Sequence, residues 1–132
     1  MQDGAGLTLL AERINQTIDK AMECGSTAGY AKDLQRAVQR LVDVTAAVWA
    51  AGDVATTLAN STVYLEAAGH VVVAWMWLEQ LIAANDHQGD FYDGKRAAAQ
   101  YFYGYELPKV GPMFDLLESL DRTTVDAQAS WF

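Results

Sequence analysis

One long stretch without proline constrains this chain more than any other feature. No proline occurs between Asp53 and Asn85, and the segment from Val71 to Leu78 is apolar throughout. A helix that is apolar on nearly every side must be covered on more than one face. We therefore expect a central helix roughly 50 Å long. Its apolar stripe is formed by Val54, Leu58, Leu65, Val72 and Met76.

Two helices precede this central one. The first covers residues 7–24 and is expected to end where Gly25 takes the left-handed conformation. The second covers residues 28–51 and ends at Gly52, after which Asp53 is a good N-cap for the central helix. Apolar spacing predicts their buried faces: Leu7, Leu10, Ile14, Ile18 and Ala21 in the first, and Leu34, Val38, Leu41, Thr45 and Val48 in the second.

A fourth helix follows the polar turn at residues 85–89. It starts near Asp90, which we expect to cap it together with Asp93, and its apolar pattern continues past Pro108. Proline removes a backbone hydrogen bond, so a kink or break is expected there. The apolar positions are Phe91, Ala98, Phe102, Tyr105, Leu107, Val110, Phe114 and Leu117.

Short loops make neighbouring helices antiparallel. The sequence therefore predicts an all-α fold, an antiparallel up-down-up-down four-helix bundle with long third and fourth helices, in one domain over residues 1–132. The tail after Asp121 ends in Trp131 and Phe132, two aromatic residues that we expect to dock onto the bundle.

Charge and composition exclude several kinds of partner. The formal net charge is −8, and such an acidic surface disfavours nucleic acid and anionic membranes. The single cysteine, Cys24, is typical of a reducing compartment. The start of the chain shows no signal-peptide pattern, and the apolar run at residues 71–84 is too short and too polar for a membrane span. We expect a cytoplasmic protein.

The residues that often carry chemistry lack suitable partners in this sequence. Glu66 and His70 are helix neighbours, but a carboxylate-bridged metal site needs two Glu-x-x-His repeats and further glutamates. His87 is in a polar turn, and Cys24 is at the end of a helix, where the dipole does not stabilise a thiolate. We therefore predict no catalytic, cofactor-binding or metal-binding residue in this chain.

Aromatic residues cluster at residues 101–105. Consecutive residues point all round a helix, so the rings either fill a thick helix interface or form a contact surface for another domain or subunit. Gly69 and Gly104 suggest close approach of the third and fourth helices. The candidate interface residues are Tyr101, Tyr103, Tyr105, Trp131 and Phe132.

Two groups of motifs resemble one known family. In the third helix these are Ala59-Asn60, Tyr64-Leu65, Gly69-His70-Val71, Trp75 and Trp77-Leu78. In the fourth they are Phe91-Tyr92, Gly94-Lys95, Ala98-Ala99, Tyr101-Phe102 and Glu106-Leu107-Pro108. In this order they resemble the C-terminal helical domain of bacterial FAD-dependent acyl-CoA dehydrogenases. The first two helices match more loosely.

The resemblance implies a parent flavoprotein of fatty acid metabolism, an oxidoreductase that converts an acyl-CoA to an enoyl-CoA with FAD. In that family the flavin site and the catalytic base belong to the preceding domains. The resemblance thus implies an accessory domain with no active site, which packs on the catalytic domains or mediates oligomerisation. We also expect a homo-oligomer. Two alternatives remain, a stand-alone bundle that binds an acyl or other apolar ligand between the third and fourth helices, and a metal-dependent bundle.

Overall fold

Helices account for most of residues 4–132, the part of the chain that the computed structural model describes, and no strand is present there. The main helices are α1 (Ala5–Met22), α2 (Ala28–Trp49), α3 (Val54–Leu58), α4 (Ser61–Ala84), α5 (Asp90–Tyr101) and α6 (Val110–Glu118). A π-helical turn (Phe102–Glu106) and a 3₁₀ turn (Leu107–Lys109) connect α5 to α6. Helix α7 (Thr123–Asp126) and a 3₁₀ turn (Ala129–Trp131) follow. The all-α prediction is confirmed.

Helices α1 and α2 bury the faces that their spacing predicted. All five predicted positions of α2 are buried, and in α1 only Leu7 and Leu10 are partly exposed. The predicted turn at Gly52 is also present, with φ at +73°. Gly25, however, does not adopt a positive φ. The end of α1 is closed instead by Thr27, whose hydroxyl donates to the carbonyl of Ala21 at 2.7 Å.

The predicted central helix is broken into α3 and α4. Asp53 caps α3 as predicted, since its carboxylate accepts hydrogen bonds from the backbone N–H and the hydroxyl of Thr56. The break lies at Ala59 and Asn60, where no proline or glycine occurs. There the Asn60 amide donates to the carbonyl of Asp121 at 2.9 Å, and the hydroxyl of Thr124 donates to the carbonyl of Ala59 at 3.0 Å. The C-terminal segment therefore stabilises the break.

Helix α4 buries a different face from the predicted one. Its core residues are Ala67, Val71, Ala74, Leu78 and Leu81. The predicted stripe lies on the opposite side, where Leu65 is 69% exposed and Met76 is 54% exposed. The prediction was wrong because α4 is apolar all round, so that spacing alone did not distinguish its inner face from its outer face.

The fourth helix is not continuous. Its N-cap is Gly89, with φ at +116°, and Asp90 and Asp93 belong to the first turn rather than to the cap. Regular α-helix ends at Tyr101, well before Pro108, which lies in the 3₁₀ turn. Only the second half of its predicted apolar positions, Leu107, Val110, Phe114 and Leu117, is buried. The antiparallel up-down-up-down order and a bend at Pro108 stay predictions.

Helix α4 lies at the centre of the packing. It contacts α1, α2, α5 and α6, while α1 and α2 pack on each other. By length and composition alone α4 could also cross a membrane, with a mean hydropathy of 1.3 in its most apolar window. The expectation that the segment is too short and too polar considered residues 71–84 alone and does not hold for the whole of α4. A third of that window is buried in this domain, and core helices of soluble proteins can have the same length and composition.

Candidate functional site

A hydrogen-bond chain through the buried Thr17 joins α1 to α4. The indole Nε1 of Trp75 donates to the hydroxyl of Thr17 at 2.8 Å, and that hydroxyl donates to the carboxylate of Glu79 at 2.5 Å. Thr17 is 4% exposed, so the pair of bonds satisfies a polar group inside the core. These side chains therefore hold the two helices together.

A second polar cluster joins α4 to the π-helical turn. The Nδ1 of His70 donates to the backbone carbonyl of Glu66 at 2.9 Å, which leaves Nε2 facing the carboxylate of Glu106 at 3.7 Å. The ammonium of Lys109 contacts the other oxygen of Glu106 at 2.6 Å. This hydrogen bond lowers the pKa of Glu106 and raises the pKa of Lys109. The predicted neighbours Glu66 and His70 are therefore joined through the backbone carbonyl of Glu66 and not through its side chain.

The motifs of the family resemblance meet in these contacts. Besides His70 and Glu106, the ring of Phe102 lies 6.0 Å from that of His70. The ammonium of Lys95 lies 5.9 Å from the ring centre of Trp77 and 5.4 Å from that of Phe91. Residues far apart in sequence therefore form one continuous seam between α4, α5 and the π-helical turn.

The outward face of α4 is apolar and contacts little of the domain. Its central residues, Leu65, Gly69, Val72 and Met76, follow each other at spacings of four, three and four. An alanine Cβ at Gly69 would meet no atom within 4 Å, and the same is true at Gly104. The predicted close approach of helices at these two glycines is therefore wrong. We call these four α4 residues the outward stripe.

The predicted interface residues separate into three groups. Tyr101 and Tyr105 are exposed and stack on each other with ring centres 4.5 Å apart. Tyr103 is buried, with its hydroxyl donating to the carbonyl of Ala74 at 2.6 Å, so it belongs to the core and not to a surface. Burial raises the pKa of its phenol. Trp131 and Phe132 do not dock onto the bundle, since Phe132 is 98% exposed.

Sequence reasoning missed three exposed apolar residues on this side of the molecule, namely Leu65, Met76 and Phe91. All three were assigned to buried stripes. The exposure of Leu65 and Met76 could have been predicted from the sequence. In α4 a full set of apolar residues already fills the inner face, so a second apolar stripe on the same helix is surplus to the core.

The remaining candidates for chemistry are Cys24, His87 and possible groups of metal ligands. Cys24 is half-buried, and its pKa is lowered chiefly by a hydrogen bond with the hydroxyl of Ser26. His87 is exposed and stacks on Tyr92. Within residues 4–132, no three His, Cys, Asp or Glu side chains are grouped so that they could hold a metal ion.

Several cavities have mainly apolar walls, and one of about 110 Å³ lies between α2, α4 and α5, beside Tyr30, Leu81 and Arg96. An open groove of about 570 Å³ lies between the start of α1 and the end of α2, beside Leu7, Val42 and the exposed Trp49. A smaller cavity of about 100 Å³ lies between α2, α3 and α4, beside Leu58 and Tyr64.

These helices and seams define the class of protein, an all-α domain whose polar clusters join one helix to another. The family follows from comparison with known proteins. A family model described as acetyl-CoA dehydrogenase C-terminal like matches residues 10–128, which is nearly the whole chain. The chain belongs to this family, and the predicted resemblance is confirmed. Searches among curated proteins and among solved structures give no match.

Proposed function

We propose that this chain is an accessory helical domain of an FAD-dependent acyl-CoA dehydrogenase, and that it packs on the catalytic domains without an active site of its own. The observation that carries the proposal is the family match over residues 10–128. FAD and the acyl-CoA then bind to the catalytic domains of the parent enzyme, in the cytoplasm.

The contacts of the titratable side chains support a role without catalysis. His70, Glu106 and Lys109 join α4 to the turns after α5, and Glu79 is bonded to Thr17 of α1. Arg122 joins the C-terminal segment to Asp53 at the start of α3 at 3.0 Å. A catalytic acid or base needs access to substrate, whereas each of these groups already connects two elements of the fold.

A second candidate function is the binding of an acyl chain or another apolar ligand by the domain itself. The open groove between α1 and α2 favours it, because apolar walls and an exposed Trp49 are typical of ligand pockets. This groove is a different place from the one that the sequence predicted.

Titration calorimetry on the purified chain separates these functions. We expect no flavin in the purified protein, and no heat of binding with FAD, with an acyl-CoA or with a long-chain fatty acid. Stoichiometric flavin or oxidation of acyl-CoA would contradict the accessory role. Saturable binding of the fatty acid that Trp49→Ala abolishes would establish the second candidate instead.

A further inference from the structure

We propose that α3 is a hinged lid, and that the C-terminal segment at residues 119–127 is the latch that holds it closed. With the latch in place, α3 and α4 are separate helices that meet at Asn60. When the latch is released, the two helices join into one continuous helix over residues 54–84 and the lid opens. This conformational device goes beyond the proposed function and does not rest on it.

The break between α3 and α4 is confined to one residue. Ala59 has helical backbone angles, with φ at −54° and ψ at −36°, whereas Asn60 has φ at −123° and ψ at 36°. Neither proline nor glycine occurs from Val54 to Ala68, so the local sequence permits a helix across the break. A rotation at Asn60 therefore takes the chain from the broken form to the continuous one.

The broken form leaves backbone groups free that a continuous helix would bond. The first backbone bond of α4 runs from the N–H of Tyr64 to the carbonyl of Asn60 at 3.0 Å. The N–H groups of Ser61, Thr62 and Val63 therefore have no acceptor within α4, as at every helix start. In a continuous helix they would donate to carbonyls in the last turn of α3, so joining the helices adds backbone bonds.

The latch contacts the break through bonds that compete with the continuous helix. The hydroxyl of Thr124 donates to the carbonyl of Ala59 at 3.0 Å, the group that would accept from Val63 if the helix were continuous. The Asn60 amide donates to the carbonyl of Asp121 at 2.9 Å, which holds the one non-helical residue against the latch. The latch therefore stabilises the broken form.

A second set of latch contacts holds the start of α3. The guanidinium of Arg122 pairs with Asp53 at 3.0 Å and with Asp126 of the latch itself at 3.1 Å, and it also contacts the hydroxyl of Thr56. Both carboxylates are more than half exposed. Exposed ion pairs are individually weak, so the latch can be released without opening the core.

Neither the lid nor the latch helix is anchored by burial. Helices α3 and α7 contain no buried residue. At the start of the latch, Leu120 has φ at +56°, a left-handed conformation that is an outlier for a bulky side chain. Segments with few buried contacts open locally at a low free energy. Release of the latch also frees Leu120 from its strained conformation.

The lid covers a small apolar cavity of about 100 Å³. Leu58 of the lid lines this cavity together with Val48 of α2, Tyr64 of α4 and Leu117 of α6. The hydroxyl of Thr57 attaches the lid to the carbonyl of Val48 at 3.0 Å. Because Thr57 and Leu58 move with α3, release of the latch opens this cavity to solvent.

Amide hydrogen exchange followed by NMR tests the latch. The released variant, Arg122→Ala with Thr124→Val, removes latch contacts while the sequence of α3 and α4 stays intact. We expect the protection of the amides at residues 61–63 to rise at least about tenfold, because each N–H gains an acceptor in the continuous helix. Thr57 should stay protected, since its N–H bonds within α3 in both forms.

Two further variants make the test specific. Ser61→Pro in the released variant should remove the added protection at residues 62 and 63. Proline fits the first position of a separate α4 but interrupts a continuous helix. The matched control is Arg36→Ala with Thr8→Val, which removes an exposed ion pair and an exposed hydroxyl bond elsewhere and should leave these amides unchanged.

Two results would overturn the proposal. Unchanged protection at residues 61–63 in the released variant would mean that the break does not depend on the latch. Loss of protection at Thr57 would mean that α3 unfolds on release instead of joining α4. Circular dichroism shows whether each variant folds, and Arg122→Ala alone is judged by the same criteria if the double variant does not. None of these results depends on whether the chain binds flavin.

Discussion

Helices α2 and α4 lie against each other in the core, yet their outward faces differ. The outward face of α2 is polar and carries Lys32, Gln35, Arg36, Gln39 and Asp43. The outward face of α4 carries the apolar stripe of Leu65, Gly69, Val72 and Met76. Both helices contribute fully buried residues to one core, Leu34 from α2 and Leu78 from α4.

This difference indicates what each helix requires. A helix with one apolar face is satisfied when that face is covered, as α2 is by α1, α4 and α6. Helix α4 has the same inner contacts and a surplus apolar face. The large apolar residues of the outer face, Leu65 and Met76, therefore do not contribute to the core of this domain.

The largest expected effect tests the two faces of α4 against each other. Leu78→Ala removes a fully buried side chain and should lower the free energy of unfolding by about 2–5 kcal/mol. Met76→Ala, on the outward face, should change it by less than about 0.5 kcal/mol in dilute solution. Urea denaturation measures both values. Comparable losses for the two variants would mean that the outward face is covered within the domain.

An intermediate effect concerns the bond chain between α1 and α4. Thr17→Val keeps the shape of the side chain but leaves the indole N–H of Trp75 without its acceptor and the carboxylate of Glu79 without its donor. Glu79 is exposed and Trp75 is partly exposed, so water can replace these bonds in part. Urea denaturation should therefore show a loss of about 0.5–1.5 kcal/mol, the net contribution of a hydrogen bond. Thr8→Val, at an exposed position of α1, is the control and should be nearly neutral. Equal effects would show that the buried bonds contribute little.

The sequence was informative where polar and apolar residues separate cleanly. In α1 and α2 each side of the helix has its own composition, so spacing identified the buried positions. In α4 both sides are apolar, and the stripe chosen from Leu65 and Met76 was the outer one. Composition could show that this helix needs cover on several faces, but not which face the domain itself covers.

Two irregular places depend on contacts that local sequence does not encode. The break at Asn60 is stabilised by Asp121, which is 61 positions away. The π-helical turn places Tyr103 so that its hydroxyl bonds to Ala74 of α4. Pro108 drew attention to the region but lies beyond the turn, in the 3₁₀ segment. The candidate interface could be predicted only in part, because the burial of Tyr103 depends on this turn.

The smallest expected effect concerns the seam beside the outward stripe. The hydrogen bond with Lys109 lowers the pKa of Glu106 below its usual value of 4.5 in the folded chain. Glu106 therefore contributes stability that is present above pH 4.5 and is lost as the pH falls through the lower folded pKa. Glu106→Gln removes this titration, so the variant should be less stable than the unmodified chain at neutral pH. The difference should shrink as the pH falls below 4.5.

The control for this pH dependence is Glu12→Gln on the exposed side of α1. Urea denaturation between neutral and acid pH gives both differences from the unmodified chain. Lys109 acts in the opposite direction, because its raised pKa contributes stability that is lost only as the pH rises through it. A loss confined to high pH would therefore be due to Lys109. The difference in the free energy of unfolding between Glu106→Gln and the unmodified chain could instead stay constant down to acid pH. This outcome would show that the Glu106 side chain acts by shape and not by charge. The seam between α4 and the π-helical turn would then be held by packing around His70 and Phe102.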